Sequence, residues 1–296
     1  LQNEILLSSN RYQYLKQKLE KIIYRSTKVM SEHARMSGFS PVGLEVVFGP
    51  YGDLPPVHFQ LKNGMRMQLV GRIDRVDEAR SDQGIFLRVV DYKSSEQQLN
   101  LVEVYYGLAL QMLTYLDILV RYSEKLIGEA ATPAGVLYFH VHNPLVQSDK
   151  PISDEEIANK IFKEFKMNGL VVSDPEVIRL MDQSLDSGWS RIISAGITRK
   201  GELYKNSQAA SKEEFTALRK YVNRIFEKTG NEIITGKNAI NPYKLNDETA
   251  CKFCPFHDIC QFDAALKENN YRILPSLKKE EALQFIKEAV KNDDTA

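Results

Sequence analysis

The most regular pattern in the chain is an alternation of apolar residues that runs directly into a charged pair. Ile85, Leu87 and Val89 alternate along "GIFLRVVDYKSS". Because side chains on a strand repeat every second residue, Asp91 and Lys93 continue the same face. The pattern predicts a buried strand whose end carries a carboxylate and an amine.

The neighbouring patterns predict an α/β core around this strand. Apolar and polar residues alternate over 57–61, Asn63-Gly64 supplies the commonest two-residue hairpin turn, and a return strand follows from 65 to about 76. Apolar residues at helical spacing predict one long helix over 99–122, and residues 134–141 predict a further strand. We expect five segments: an N-terminal helical segment (1–40), the core (41–150), a mainly helical region (151–245), a cysteine cluster (246–265) and a C-terminal helical tail (266–296).

Composition and charge narrow the classes of function. The 296 residues are 43% hydrophobic and 26% charged, which is typical of a globular protein, and no run approaches the ~18 apolar residues of a membrane helix. The 39 basic residues balance 39 acidic ones, so any grip on nucleic acid is expected to be local or shared with other domains. The start lacks a secretory signal and an initiator Met, so we expect a cytoplasmic piece of a longer protein.

A second aspartate lies late on the preceding strand, in "GRIDRVD". Two carboxylates on neighbouring strands, Asp74 and Asp91, can converge on one hard cation such as Mg²⁺. Lys93 then lies beside the same point, where it can hold an attacking water or stabilise developing charge. This set suits metal-assisted hydrolysis of a phosphodiester. The alternative is structural: Asp91 and Lys93 form a salt bridge, and Asp74 pairs with Arg72 or Arg75.

The predicted long helix carries a polar interruption. Gln111 breaks an otherwise apolar stripe, and Tyr115 follows it four residues later on the same face. Alone, the two would be read as an ordinary core glutamine and core tyrosine. Next to the two aspartates and the lysine, we interpret them as a pair that positions substrate.

The three cysteines of the chain fall within ten residues, in "CKFCPFHDIC". Local spacing of this kind presents thiolates to one metal centre. Either His257 completes a Cys₃His zinc site, or Cys251, Cys254 and Cys260 hold part of a [4Fe–4S] cluster whose fourth ligand lies elsewhere. Three buried free thiols are the structural alternative, and the spacing alone does not decide.

The motifs "GRIDRVD", "VVDYKSS" and "QMLTY", in this order, resemble those of RecB-type nucleases in the PD-(D/E)XK superfamily. The resemblance implies a restriction-endonuclease-like core with a central mixed sheet flanked by helices. It implies that Asp74 and Asp91 bind Mg²⁺ and that Lys93 is catalytic. It also assigns the Q-x-x-x-Y motif of the following helix to Gln111 and Tyr115.

Two further family features are matched less well. Glu45, in "GLEVVFG", is similar to a glutamate that often precedes the first aspartate, where it would be a ligand or an orienting acid; an exposed strand residue is the alternative. The family also commonly carries an acid or histidine on an upstream helix. His33, in "SEHARMSG", lacks the apolar context of that motif, so we expect the histidine to lie before residue 1.

A subgroup of these nucleases ends in a similar cysteine pattern with the fourth cysteine far upstream, which implies a [4Fe–4S] cluster with one ligand outside this sequence. Within that subgroup, the chain most resembles the cluster-bearing B subunits of bacterial AddAB-type helicase–nucleases. The resemblance implies a DNA exonuclease domain, an AddA-type partner in a heterodimer, and resection of double-strand breaks for homologous recombination, on the 5′-ended strand. The alternatives are a stand-alone iron–sulfur exonuclease of the CRISPR-adaptation type, a catalytically idle DNA-binding scaffold, and a zinc-stabilised adaptor.

Overall fold

A computed structural model describes residues 8–294 and divides the chain into two compact units. The first unit contains the residues up to Val57, Leu69–Leu99 and Gln111–Thr216. The second contains His58–Gln68, Asn100–Leu110 and the residues from Ala217 onward. The first seven residues of the expected N-terminal segment and the last two of the expected tail lie outside the described residues.

The elements of the described residues follow one another with these bounds. The strands are β1 Ser40–Phe48, β2 Val57–Gln60, β3 Arg66–Leu69, β4 Gly71–Ser81, β5 Gly84–Lys93, β6 Thr132–His140, β7 Asn168–Val172, β8 Gly188–Trp189, β9 Gly196–Ile197, β10 Ala209–Ala210, β11 Tyr243–Leu245, β12 Glu248–Thr249 and β13 Arg272–Ile273. The helices are α1 Asn10–Met36, α2 Leu101–Tyr105, α3 Gln111–Arg121, α4 Ser123–Ile127, α5 Asp154–Glu164, α6 Pro175–Met181, α7 Lys212–Ile234, α8 His257–Cys260 and α9 Lys279–Asp294. None of the described helices is long and apolar enough to span a membrane.

The first unit is built on a six-stranded mixed sheet, which confirms the predicted α/β class. The strand order is β1-β4-β5-β6-β7-β10. β4 is antiparallel to both of its neighbours, β5 and β6 are parallel, and β7 runs antiparallel to β6. The predicted strand that ends in the charged pair is therefore central to the sheet.

This central strand, β5, is buried on both faces and not on one. Its residues from Ile85 to Asp91 are all buried, and only its two ends reach solvent. Strands covered by helices on both faces read as near-continuous apolar runs. The alternation seen in the sequence was therefore only half of the pattern, since Phe86 and Val90 of the other face are buried as well.

The single long helix predicted over 99–122 is wrong. The chain instead forms α2, a turn, α3 and then α4. Gly107 lies in the turn with a φ of 78°, a conformation that glycine adopts without strain. The apolar spacing continues through the turn because both helical pieces bury apolar side chains, such as Val104 and Met112, so periodicity alone did not reveal the break.

The region expected to be mainly helical contains α5, α6 and α7 but also contributes β7 and β10 to the main sheet. β7 packs closely on β6 at Gly169, where a Cβ atom would lie 2.0 Å from the carbonyl oxygen of Val136. A glycine is therefore required for this pairing. The signal in the sequence is the apolar run "GLVV", which is too short to distinguish a strand from a helical segment by periodicity.

The second unit gathers short elements from three parts of the chain. The β2–β3 hairpin turns at Asn63-Gly64 as predicted, but the single return strand predicted from 65 to about 76 is wrong, because the chain there forms β3 in the hairpin and β4 in the main sheet. Phe59 contacts Phe226 of α7 with a ring separation of 5.8 Å. Tyr105 stacks on Tyr221, whose hydroxyl donates to the carbonyl of Tyr105 at 2.8 Å. α9, the predicted amphipathic C-terminal helix, packs against α2.

Candidate active site

The two central antiparallel strands bring the candidate acids together. Arg75 of β4 and Val90 of β5 form the last pair of their ladder, and Asp74 and Asp91 each lie one residue beyond it, close enough for the charge of Asp74 to raise the pKa of Asp91. Residues directly opposite each other on such strands share a face. Asp74 is fixed further because its Oδ2 accepts a hydrogen bond from the backbone N–H of Tyr92 at 3.1 Å. The expected neighbouring strands therefore hold the two carboxylates side by side.

Asp91 is buried, and its carboxylate is incompletely satisfied. Its Oδ2 lies 2.7 Å from Lys93 Nζ as an ion pair, and Lys93 is the one partner of this oxygen among the described residues. Burial raises the pKa of Asp91; the ammonium of Lys93 opposes this shift, and the charge of Asp74 adds to it. Asp91 and Asp74 together therefore carry more negative charge than the ammonium of Lys93 neutralises.

Asp74, Asp91 and Lys93, here called the aspartate cluster, carry two carboxylates against one ammonium. Lys93 is 32% exposed at the end of the strand, so the cluster opens to solvent there. The structural alternative, in which Asp91 pairs with Lys93 and Asp74 with an arginine, holds only in part. Asp91 does pair with Lys93, but Arg72 pairs with Glu45 and Arg75 with Asp77, so neither arginine neutralises Asp74.

The donor chemistry of the aspartate cluster fits a hard divalent cation. Oxygen ligands from one or two carboxylates, completed by water and substrate phosphate, are the usual way in which proteins hold Mg²⁺. The incompletely satisfied oxygen of Asp91 is the atom that such an ion would contact. In residues 8–294, no three His, Cys, Asp or Glu side chains are gathered to hold an ion.

Gln111 and Tyr115 form the polar pair expected on the following helix. Gln111 begins α3 and is exposed, and its Nε2 donates to the hydroxyl of Tyr115 at 3.0 Å. The ring of Tyr115 packs edge-on against Phe48 of β1, with centroids 5.9 Å apart. Gln111 is therefore not a satisfied core glutamine, and its amide is available to a substrate.

Glu45 lies on β1 at the register position across from Asp74, between the pairs formed by its two neighbours. Its φ of 53° is unusual for a residue that is not glycine, and its carboxylate turns to Arg72, at 2.8 Å and exposed. Within residues 8–294, Glu45 and the two aspartates are not gathered into a three-acid group. Its role in the site remains a prediction.

His33 is buried in α1 between two aromatic rings. Phe139 and Phe162 meet it edge-on at 6.0 and 5.0 Å, and neither ring nitrogen has a hydrogen-bond partner among the described residues. Burial, followed by the charge of Arg88, lowers the pKa of His33 to about 4. It is neutral at pH 7 and joins no group of metal-binding side chains among the described residues.

A second set of charges occupies the opposite face of the same two strands. Asp77 accepts from Arg75 Nε at 2.6 Å and from Arg88 Nε at 2.9 Å, and its side chain is fully buried. Arg88 lies over the ring of Phe39 at 4.5 Å. We call Arg75, Asp77 and Arg88 the arginine cluster. Arg88 was not predicted to matter, although an arginine within the apolar run "IFLRVVD" was a signal for a buried partner.

The cysteines lie in the second unit, around a turn and the short helix α8. Cys251, Cys254 and Cys260 are all half-buried and free. The backbone N–H of Cys254 donates to the carbonyl of Cys251 at 3.2 Å, and Cys260 ends α8. Thiolates at this spacing have the right chemistry for zinc or iron, but in the described part of the chain they are not gathered to share one metal.

Comparison with known proteins gives one family over most of the chain. Residues 1–261 match the family described as the PD-(D/E)XK nuclease superfamily. The aspartate cluster and the Gln111–Tyr115 pair fall within the matched residues. The cysteines do so as well, up to and including Cys260.

Similar proteins from several bacteria share one name, the B subunit of an ATP-dependent helicase/deoxyribonuclease. The chain is 55% identical over 287 residues to that of Bacillus pumilus (strain SAFR-032), covering 97% of this chain and 25% of the relative. It is 54% identical over 287 residues to that of Bacillus subtilis (strain 168), with the same 97% and 25% coverage. For Geobacillus thermodenitrificans (strain NG80-2) the identity is 53% over 288 residues, again with 97% and 25% coverage. The chain spans about a quarter of the length of these relatives.

Proposed function

Because this chain belongs to the PD-(D/E)XK nuclease superfamily, we propose that it hydrolyses DNA phosphodiesters as the Mg²⁺-dependent nuclease domain of a helicase–nuclease. One observation carries the proposal: the buried, incompletely satisfied oxygen of Asp91 lies beside a second carboxylate and a lysine at the end of a central strand. The two carboxylates outnumber the one ammonium, so a cation could bind there, and the exposed end of the strand leaves room for a phosphate.

In the proposed mechanism, Asp74 and Asp91 would hold Mg²⁺, which would supply a bound water of lowered pKa and neutralise charge on the phosphate. The N–H of Tyr92 keeps the Asp74 carboxylate in place before any ion binds. Lys93, exposed enough to meet substrate, orients the attacking water and stabilises the charge that develops on the phosphoryl oxygens.

Two further groups are proposed to act on substrate position. The amide of Gln111, held by the hydroxyl of Tyr115, is a donor for a phosphate oxygen of the bound strand. Glu45 would act as an orienting acid at the register position across from Asp74. Its left-handed backbone supports this assignment, since such conformations concentrate at functional sites.

The names of the relatives support a wider proposal. We infer that the intact protein works with an AddA-type partner as a heterodimer, uses ATP, and resects DNA double-strand breaks for homologous recombination in the cytoplasm. In that complex, this chain would cut the 5′-ended strand. A stand-alone exonuclease is the second reading, and identities of 55% and 54% to proteins named as helicase/deoxyribonuclease subunits argue against it.

The cysteines are proposed as three ligands of a [4Fe–4S] cluster whose fourth ligand lies outside this sequence. The C-x2-C-x5-C spacing supports a shared metal centre but not the choice of metal. Iron, acid-labile sulfide and zinc content of the purified full-length protein would decide. Iron with sulfide, lost in Cys254→Ser, supports the cluster; stoichiometric zinc without iron would replace it with a Cys₃His site that includes His257.

The nuclease proposal is tested with the full-length protein and its partner, comparing wild type with Asp91→Ala in the presence of Mg²⁺. We expect cleavage of one DNA strand to be lost while unwinding continues. Asp82→Ala, which removes an exposed aspartate from the turn between β4 and β5, is the matched control and should cleave normally. Unchanged cleavage in Asp91→Ala would mean that the domain is a catalytically idle scaffold and that Asp91 and Lys93 are only a salt bridge.

A further inference from the structure

A line of basic and aromatic side chains runs along α1. Tyr14, Lys18, Lys21, Arg25 and Lys28 follow one another at spacings of four, three, four and three residues, so they lie along one side of the helix. At 1.5 Å per residue the line is about 21 Å long. From residue 10 to residue 28 the helix carries six basic residues and one acidic residue, in a chain whose net charge is zero.

This line forms one wall of a groove in the first unit. Two adjoining cavities, of about 670 and 280 Å³, are both lined by Lys21 and Asn143 and so form a continuous groove. Ser94 and His142 line the first cavity, and Phe162 of α5 lines the second. The opposite wall is therefore the loop that follows β6, together with α5.

The cations of the groove are largely uncompensated. Lys18, Lys21 and Lys28 are exposed and form no ion pair with any residue described by the structure. Arg25 donates to the side chain of Asn143 and so ties α1 to the loop after β6. Among the described residues, Glu32 is the one acid that lines either cavity. The groove thus offers four positive charges to a ligand against one negative charge.

Aromatic faces alternate with these cations. Tyr14 and Tyr24 are 64% and 72% exposed. His142 stacks on His140 with ring centroids 3.9 Å apart. Cationic grooves with stacking platforms are the usual binding surface for single-stranded nucleic acid.

The first cavity adjoins the chain segment that directly follows Lys93 of the aspartate cluster. Ser94, which lines the first cavity, directly follows Lys93 in the chain. The carbonyl of Ser94 also lies 3.3 Å from Nε2 of His140. A strand lying in the groove would therefore reach the end of β5 where Asp91 and Lys93 are placed.

We propose that the groove along α1 binds a single DNA strand and leads it to the aspartate cluster. The inference rests on the proposed nuclease function and adds the path of the substrate. The strand's phosphates contact the lysines at 18, 21 and 28, and its bases stack on Tyr14 and Tyr24. The exposed apolar side chains of Leu19 and Ile23 also line the first cavity and offer further surface to the bases. The groove holds at most about six nucleotides at 3.4 Å each.

The first test measures cleavage of a single-stranded oligonucleotide by the full-length protein with its partner, without ATP. In the triple variant Lys18→Ala, Lys21→Ala, Lys28→Ala, KM should rise about tenfold or more, because three phosphate contacts are lost. The dependence of log KM on log salt should fall by about 2. Lys125→Ala, Lys200→Ala, Lys205→Ala removes equal charge from exposed positions off the groove and should leave KM unchanged. Equal changes in both triple variants would overturn the proposal.

The second test does not depend on cleavage. A photoreactive benzoylphenylalanine at Tyr24 should crosslink to the same oligonucleotide in EDTA, whereas one at Trp189, an exposed aromatic residue off the groove, should not. Crosslinking to another segment of the protein at Tyr24, with none to DNA, would overturn the proposal and show that the surface is covered by protein. If cleavage fails in wild type while Tyr24 still crosslinks, the nuclease proposal falls and the groove stands.

Discussion

Two clusters of charge lie on opposite faces of β4 and β5, and they differ in the sign of their net charge and in their access to solvent. In the arginine cluster, one aspartate receives hydrogen bonds from two guanidinium groups inside the core, while Nη1 of Arg88 has no hydrogen-bond partner among the described residues. In the aspartate cluster, two carboxylates share one lysine at the open end of a strand, and one buried oxygen is left without a well-formed hydrogen bond from any described residue. The arginine cluster therefore carries one net positive charge inside the core, and the aspartate cluster carries one net negative charge at the open end of a strand, where a cation could bind.

The same backbone thus supports two uses of buried charge. Breaking a buried, fully paired aspartate leaves its partners unsatisfied and costs about 3–5 kcal/mol. An aspartate whose partners are incomplete contributes little to stability but keeps its affinity for a cation. Substitutions of the same kind in the two clusters should therefore have unequal effects.

The first prediction, with the largest expected effect, applies one substitution to both clusters. Asp77→Asn should lower the free energy of unfolding of this chain by about 3–5 kcal/mol, because both arginines lose their partner. Asp91→Asn should change it by no more than about 1 kcal/mol, since burial already disfavours the ionised carboxylate and Lys93 can turn to water. Denaturant unfolding of both variants measures the difference, and equal losses would contradict the contrast.

The second prediction concerns the loss of stability in acid and His33, which lies near Arg88 of the arginine cluster. The folded chain holds the pKa of His33 at about 4, against 6.5 when unfolded, so the unfolded state binds the proton first as pH falls. Stability should therefore be lost between pH 6.5 and 4, by up to about 3 kcal/mol. His33→Phe should remove this part of the acid dependence while changing stability little at pH 7. Denaturant unfolding across that pH range measures it; a profile unchanged in His33→Phe would show that His33 is not its source.

The third prediction concerns the open cluster and its cation. A ligand that binds only the folded state at ten times its dissociation constant stabilises it by about 1.4 kcal/mol. Mg²⁺ should therefore raise the melting temperature of wild type but not that of Asp91→Asn. Asp77→Asn, although less stable, should keep the Mg²⁺-dependent rise. An equal rise in all three proteins would place the ion elsewhere.

The smallest expected effect on stability lies at the exposed Glu45–Arg72 pair. Surface pairs of this kind contribute about 0–1 kcal/mol, so Glu45→Gln and Arg72→Gln should unfold almost as wild type does. If Glu45 orients the cluster, Glu45→Gln should lower the Mg²⁺-dependent cleavage rate about tenfold, and Arg72→Gln should not. Cleavage equal in both variants would reduce Glu45 to an exposed strand residue.

The contrast also explains which features could be read from the sequence. Local signals were enough for the strand before Asp91, the hairpin at Asn63-Gly64 and the i,i+4 pair of Gln111 and Tyr115. Features that depend on distant partners were not. The pairing of Arg88 with Asp77 needs the register of β4 and β5, and the pairing of β7 with β6 joins segments that are far apart in the chain.

The break in the predicted long helix and the groove along α1 were missed for different reasons. The break at Gly107 lies within an apolar repeat that both flanking helices continue, so packing hides it from any periodicity argument. The basic line on α1 was visible in the sequence as an excess of basic over acidic residues. Its meaning depends on the loop after β6, which forms the facing wall and which Arg25 holds in place.

The two units interleave along the chain, and this has a consequence for synthesis. Residues 58–68 and 100–110 belong to the second unit, yet they leave the ribosome long before α7 and α9. The ring of Tyr105 stays without its stacking partner until Tyr221, 116 residues further along the chain, has been synthesised. Exposed apolar surface of this kind invites misassembly while translation continues. If the gene were truncated after the last strand of the main sheet, Tyr221 would be missing and the ring of Tyr105 would stay uncovered. A shortened protein should therefore contain both units.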